Sequence, residues 1–254
     1  IPKSNGQNYT QKDIKAFDNI VSQKKEVEGT FKNKIKNVPG KIYDTPKFLP
    51  AGDKYLLIEF GNIMNLELNF TAQNLAKAIK DHKIRGIYET SPCFASMIVH
   101  YEPDEIKFND LKKELSSLIN SLGSTDEIEI NSRIFTFPTV YLDKWTKECI
   151  EDYSNKIAKK KPDPELITEL NNLENTEQFV RVHSSTEYWV AAIGFWPGLP
   201  FMMALDPRCK LTVPKYNPPR TWTPKGTVGM GGASTCIYPD KLPGGYQIFG
   251  IIPV

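Results

Sequence analysis

The residues best suited to chemistry crowd one short stretch. LDPRCKLTVPKYNPPRTWTPKGT sets Arg208, Lys215, Asn217, Arg220, Thr221 and Thr223 among prolines that forbid regular structure and fix the backbone. Donors on a rigid irregular loop beside an apolar wall are a common construction for a small-molecule site. The same composition also describes a rigid surface connection, and the loop alone leaves both readings open. Just downstream, VGMGGAS carries Gly229, Gly231 and Gly232, whose successive amides could cradle an anion or a carbonyl oxygen. It is not a P-loop, because the closing G-K-S/T is missing, and no helix follows it as in a dinucleotide fingerprint. Glycines at a bend between strands are the plainer reading.

Other chemistries find little support. His183 adjoins Ser184 and Ser185, but a base must reach its nucleophile in space and be oriented by a third group. His82 falls in a helical pattern, and His100 and His183 in strand-like runs. Neither H-E-x-x-H nor a His/Cys/Asp cluster is present, so no catalytic metal is expected. The four cysteines are scattered without a C-x-x-C pair, which fits buried thiols and a cytoplasmic setting. No apolar signal core opens the sequence. Lys and Arg total 32 against 30 Asp and Glu, interspersed along the chain, so the basic footprint of a nucleic-acid binder is missing. The basic knot at Lys156, Lys159, Lys160 and Lys161 reads as a solvated helix end. From Tyr188 to Leu205 no residue is charged, yet Pro197 and Pro200 would leave carbonyls unsatisfied in lipid. That stretch reads as a buried strand, Tyr188 to Ile193, followed by a Pro/Gly turn, so no membrane partner is expected.

These residues need elements to hold them. Residues 1–48 are polar and Lys-rich, with a weak helical pattern through Ile14, Phe17, Ile20, Val21 and Val27, and read as a helical or disordered lead-in. From Ala51 the order is strand, helix (NFTAQNLAKAIKD), two strands (RGIYETS and ASMIVHY), helix, and a further strand at SRIFTFP. The second helix carries Leu111, Leu115, Leu118, Ile119 and Leu122 on one face, with Asn109 as N-cap and Gly123 as stop. The segment 49–140 is therefore a two-layer α+β domain with helices on one face of an antiparallel sheet. Residues 141–177 form a helical insertion whose second helix starts at Asp163-Pro164, with Leu166, Ile167, Leu170 and Leu173 on its apolar face. Over 178–254 short β-rich runs (FVRVHS, EYWVAAIGF, TVGMGG, TCIY, YQIFGII) alternate with turns, which points to an all-β barrel or sandwich.

Taken together, GFWPGLPFMMALDPR, KYNPPRTWTPKGTVGMGG, CIYP and LPGGYQIFG resemble the allophanate hydrolase subunit 1 family. The resemblance extends to AGDKYLLIEFG, ETSPCFASMIVHYEP and FTFP, and so spans Ala51 to Gly250. The family includes one half of the carboxyltransferase region of urea carboxylase, the B component of bacterial 5-oxoprolinase, and inhibitors of a sporulation histidine kinase. KYNPPRTWTP, Cys236-Ile237-Tyr238 and the 141–177 insertion look like the urea carboxylase branch, whereas GFWPGLPF and Pro239 look like the oxoprolinase branch. Ser234 stands where the oxoprolinase branch has Gln, and Ile251 where both have Arg.

The resemblance implies that the second half is a cyclophilin-like β-barrel and that a subunit 2 protein completes the site. Biotin would arrive on a carrier domain elsewhere, with ATP used elsewhere in the complex, and a small amide such as urea would be the acceptor. The chain alone would be inactive. In that setting Arg220, Thr223 and the amides of Gly231 and Gly232 would serve the urea oxygen, and Tyr238 would orient the substrate. Asn217 and Ser234 would line the site, and the wall containing Phe195, Pro197 and Phe201 would exclude water.

Overall fold

The computed structural model describes residues 40–123, 130 and 132–253. The elements below lie in the unit Ile42–Val254, and the helical pattern read through Ile14–Val27 falls outside the described residues. A first antiparallel sheet has the order β1-β2-β4-β3, from Ile42–Pro50 (β1), Tyr55–Gly61 (β2), Ile87–Cys93 (β3) and Ser96–Tyr101 (β4). Strand β1 starts inside the stretch expected to be a polar lead-in, because Phe48 packs against the core and Leu49 pairs with Leu57. Alternation along β2 and β4 buries Leu56, Ile58, Met97 and Val99 completely.

Two helices cover that face. Helix α1 (Leu66–His82) is capped by the Asn65 side chain, which accepts from the Leu68 amide at 3.1 Å, and it buries Ala72, Leu75 and Ile79. Helix α2 (Phe108–Ser121) buries Leu111, Leu115 and Leu118, the stripe expected from its spacing. Its cap differs from the expectation: the helix starts one residue before Asn109, and Lys107 stands at the cap without a side-chain bond.

The second sheet is six-stranded and antiparallel throughout, in the order β5-β10-β8-β9-β7-β6. Its strands are Val140–Tyr141 (β5), Tyr188–Ile193 (β6), Pro200–Ala204 (β7), Thr227–Gly231 (β8), Ser234–Ile237 (β9) and Gln247–Ile251 (β10). Among the described residues β5 and β6 are the end strands of this order. The uncharged stretch from Tyr188 forms the β6–β7 hairpin, and among the described residues no helix is long and apolar enough to cross a membrane.

Helices α3 (Lys144–Lys156) and α4 (Asp163–Leu170) lie in the segment read as a helical insertion, and α5 (Thr176–Ser184) runs on into the segment read as all-β. FVRVHS, read as a strand, lies in α5. Asn175 caps the helix by accepting from Gln178, and Phe179 and His183, four apart, bury on one side; cap and packing override the β propensity of Val180 and Val182. SRIFTFP, also read as a strand, belongs to no sheet among the described residues.

The two sheets meet at Asn69, which is wholly buried. Its amide donates to the carbonyls of Phe94 (3.0 Å) and Ala191 (2.9 Å), and its oxygen accepts from the Trp189 indole at 2.7 Å.

His183 is the buried titratable group of α5. Its Nδ1 lies 2.8 Å from the Tyr141 hydroxyl and its Nε2 3.2 Å from Thr235 Oγ1, within a cage of Phe179, Tyr188 and Phe249 rings. Burial pushes its pKa from 6.5 down to about 4. The unfolded chain therefore takes up this proton near pH 6.5, whereas the folded chain resists until about 4. Stability present above pH 6.5 should drain away as the pH falls through that window, by about 3 kcal/mol in all. Urea unfolding at a series of pH values should show this slope, and His183→Gln should flatten it.

Candidate functional site

The loop from Pro214 to Pro224 is irregular but bonded along its length. Tyr216 N donates to Gly245 O at 2.6 Å, Arg220 and Gly244 form a two-way bridge, and Leu242 N donates to Thr223 O at 3.2 Å. From the other side, α3 grips it: Tyr153 Oη donates to Pro218 O at 2.7 Å, and the Trp222 indole donates to Asp152 at 3.0 Å. The helices of the 141–177 insertion thus position the loop that the sequence singled out.

Beneath the loop sits a buried charge cluster. Arg220 is 2% exposed; its Nε donates to Thr223 Oγ1 at 3.2 Å and its Nη1 to Tyr246 O at 2.5 Å, while its Cζ lies 4.4 Å from the Tyr216 ring centroid. Nη2 is buried without a partner among the described residues. Asp163, wholly buried, stands 4.0 Å from Nη1 and accepts from Tyr216 Oη (2.6 and 2.8 Å), Ile248 N (2.7 Å) and Lys160 Nζ. Lys160 also donates to Gln247 Oε1 at 2.6 Å. Burial lowers the pKa of Lys160, against the pull of the Asp163 charge. Burial, and then the Asp163 charge, raise that of Tyr216. The sequence did not single out Tyr216 or Gln247, and Lys160, read as part of a solvated helix end, is instead only 17% exposed and paired with Asp163. Asp163 looked like a helix cap, but the helix begins at Asp163 itself and the carboxylate turns inward.

The expected site residues therefore fall into two layers. Arg220, Thr223, Tyr238 and Ser234 are all buried, and in this chain they lie beneath the surface rather than form it. Burial also drives the Tyr238 hydroxyl above its ordinary pKa. The amide of Gly232 donates to Val213 O at 2.7 Å and is not free to serve a substrate oxygen, a correction to the expected role. Gly232 takes a left-handed φ of +63°, and a side chain there would meet open space.

Gly231 lies under the Tyr246 ring, where an added Cβ would be 2.6 Å from a ring carbon and 3.0 Å from Lys215 Cγ. The Lys215 ammonium lies 5.2 Å from that ring's centroid. Phe201 continues the surface, 5.9 Å from Tyr246, and leads to the hairpin tip. There Phe195 (65% exposed), Trp196 (46%) and Pro197 face solvent, so the expected water-excluding wall is open in this chain. Asn217 is exposed on the loop. What reaches solvent here is the tip of Phe195, Trp196 and Pro197, the half-buried Phe201 and the exposed Lys215 and Asn217, whereas Tyr246 is itself buried at 8% exposure.

The comparisons agree with this architecture. The family profile "Carboxyltransferase domain, subdomain C and D" matches residues 46–254. Urea amidolyase of Lachancea kluyveri is 32% identical over 85% of this chain, which spans 12% of that protein's length. The K. lactis urea amidolyase structure matches with a TM-score of 0.74 at 28% identity, over 85% of this chain and 13% of that one. The B component of the Bacillus subtilis 5-oxoprolinase is 28% identical, over 80% of both proteins. With both sheets, the connecting helices and the site loop inside the matched range, the chain belongs to the carboxyltransferase domain family, as its subdomains C and D.

Proposed function

We propose that the chain supplies one half of a carboxyltransferase site in a biotin-dependent, urea-carboxylase-like enzyme, and that its second sheet is the family's cyclophilin-like barrel. A subunit 2-type protein would provide the other half, and a biotin carboxyl carrier domain would deliver the carboxyl group. The observation that carries this reading is the fold match to urea amidolyase across 85% of the chain.

Carboxybiotin, when bound, supplies an activated carboxyl group to a urea or amide nitrogen. The chain's residues suit a flat ureido ring with an anionic carboxyl: half-buried Phe201 and the exposed Phe195 and Trp196 would give an apolar bed, and the exposed Lys215 a positive charge. Asn217, Pro197 and the Gly231–Gly232 corner would line the rest of this half. Arg220, Thr223, Tyr238 and Ser234 act from below, holding Tyr246 and the loop in register. Water competes for an activated carboxyl group, and the partner would have to cover the open wall to exclude it.

A second reading, the B component of a 5-oxoprolinase, is favoured by the matching length of the Bacillus subtilis protein. Reconstitution separates the two: the first reading expects carboxyl transfer to urea that requires a biotinylated carrier, the second a biotin-independent, ATP-dependent opening of a lactam.

A further inference from the structure

Residues 132–138, SRIFTFP, have strand character and, among the described residues, no sheet to belong to. Ile134 is 74% exposed, Phe135 65% and Phe137 53%. The Arg133 guanidinium lies 5.4 Å from the Phe135 ring centroid, and the Phe135 and Phe137 rings stack at 6.5 Å. Arg133, Phe135 and Phe137 thus share one side, as alternate residues of an extended strand do. Among the described residues no backbone group of 132–138 bonds to another backbone group, and only the Phe137 carbonyl accepts a side chain, Thr139 Oγ1 at 3.3 Å.

The ribbon runs directly into β5, an end strand of the six-stranded sheet, where Val140, Leu142 and Trp145 are also exposed. Residues 132–142 contain no acid and one charge, Arg133, at the far end from the sheet. Free edges usually carry charges that deter pairing, and large contiguous apolar exposure marks an interface. The matched family range covers subdomains C and D alone, and the chain spans 12% of its urea amidolyase relative, so the rest of the domain lies outside it.

We propose that residues 132–138 dock as an added strand on a sheet edge of the remaining carboxyltransferase subdomains, with Phe135 and Phe137 entering apolar positions of that partner. This rests on the half-site reading above. The test titrates the chain with the polypeptide that carries the remaining subdomains in the same source, by calorimetry and by backbone hydrogen exchange. Phe135→Asp/Phe137→Asp should keep its circular dichroism and Tm, because both side chains are exposed. Its affinity should fall by about 100-fold or more, as for truncated hot-spot aromatics, and in the wild-type complex the amides of 133–137 should gain protection. Equal binding by the variant, or unprotected amides in the wild-type complex, would overturn the proposal. So would a homodimer of the chain that the same variant dissociates, which would give the ribbon to a second copy. Failure of the folded wild-type chain to bind at all would instead refute the half-site reading, and this proposal with it.

Discussion

Asp163→Ala is expected to remove about 3–5 kcal/mol of folding stability, measured by urea unfolding at pH 7. The carboxylate is fully buried and takes bonds from Tyr216, Ile248 N and Lys160 beside the Arg220 guanidinium. Alanine would leave two cations in the interior without their counter-charge, and a hydroxyl and an amide without an acceptor. That loss is a large part of the ~5–15 kcal/mol that holds a typical domain folded. Glu169→Ala is the contrast: its ion pair with Lys161 is 60% and 50% exposed, and its removal should cost under about 1 kcal/mol. Faster hydrogen exchange at the Tyr216 and Arg220 amides would show that the loop has come loose.

Asn69→Leu is the second large effect, expected to destabilise by about 3 kcal/mol, since each buried polar group left unpaired costs roughly 1–3 kcal/mol. Leucine is near Asn69 in size but makes none of its three bonds, to Phe94 O, Ala191 O and the Trp189 indole. These bonds join the two sheets, so the loss should appear as weaker coupling between their unfolding transitions in thermal denaturation. A double variant with Trp189→Phe should lose less than the sum of the two single changes, because the orphaned indole donor is gone.

Local patterns in the sequence were legible wherever burial follows a period. The α2 stripe and the bounds of strand Tyr188–Ile193 appear as read, although of that strand, read as buried, only Ala191 and Ala192 are buried and Ile193 is 69% exposed. Misreadings arose where tertiary contacts decide. Val180 and Val182 favour a strand, yet the Asn175 cap and the burial of Phe179 and His183 make a helix. The alternation of SRIFTFP is real, but a strand needs a neighbour, which this chain does not provide among the described residues. In the candidate site the loop and its glycines were legible, and Arg220 with Thr223 was found. The depth of those residues was not, because it depends on Asp163 meeting Tyr216 and Ile248 across 53 and 85 residues of sequence. No local spacing encodes such a meeting.

The central claim is tested most directly by reconstituting the chain with its subunit 2-type partner, a biotinylated carrier domain and the ATP-dependent carboxylating component, and measuring ADP release. The account predicts ADP release that requires bicarbonate and biotin, is stimulated by urea, and collapses when this chain is left out. Lactam opening by the same proteins without biotin, or urea-stimulated turnover that continues without this chain, would contradict it.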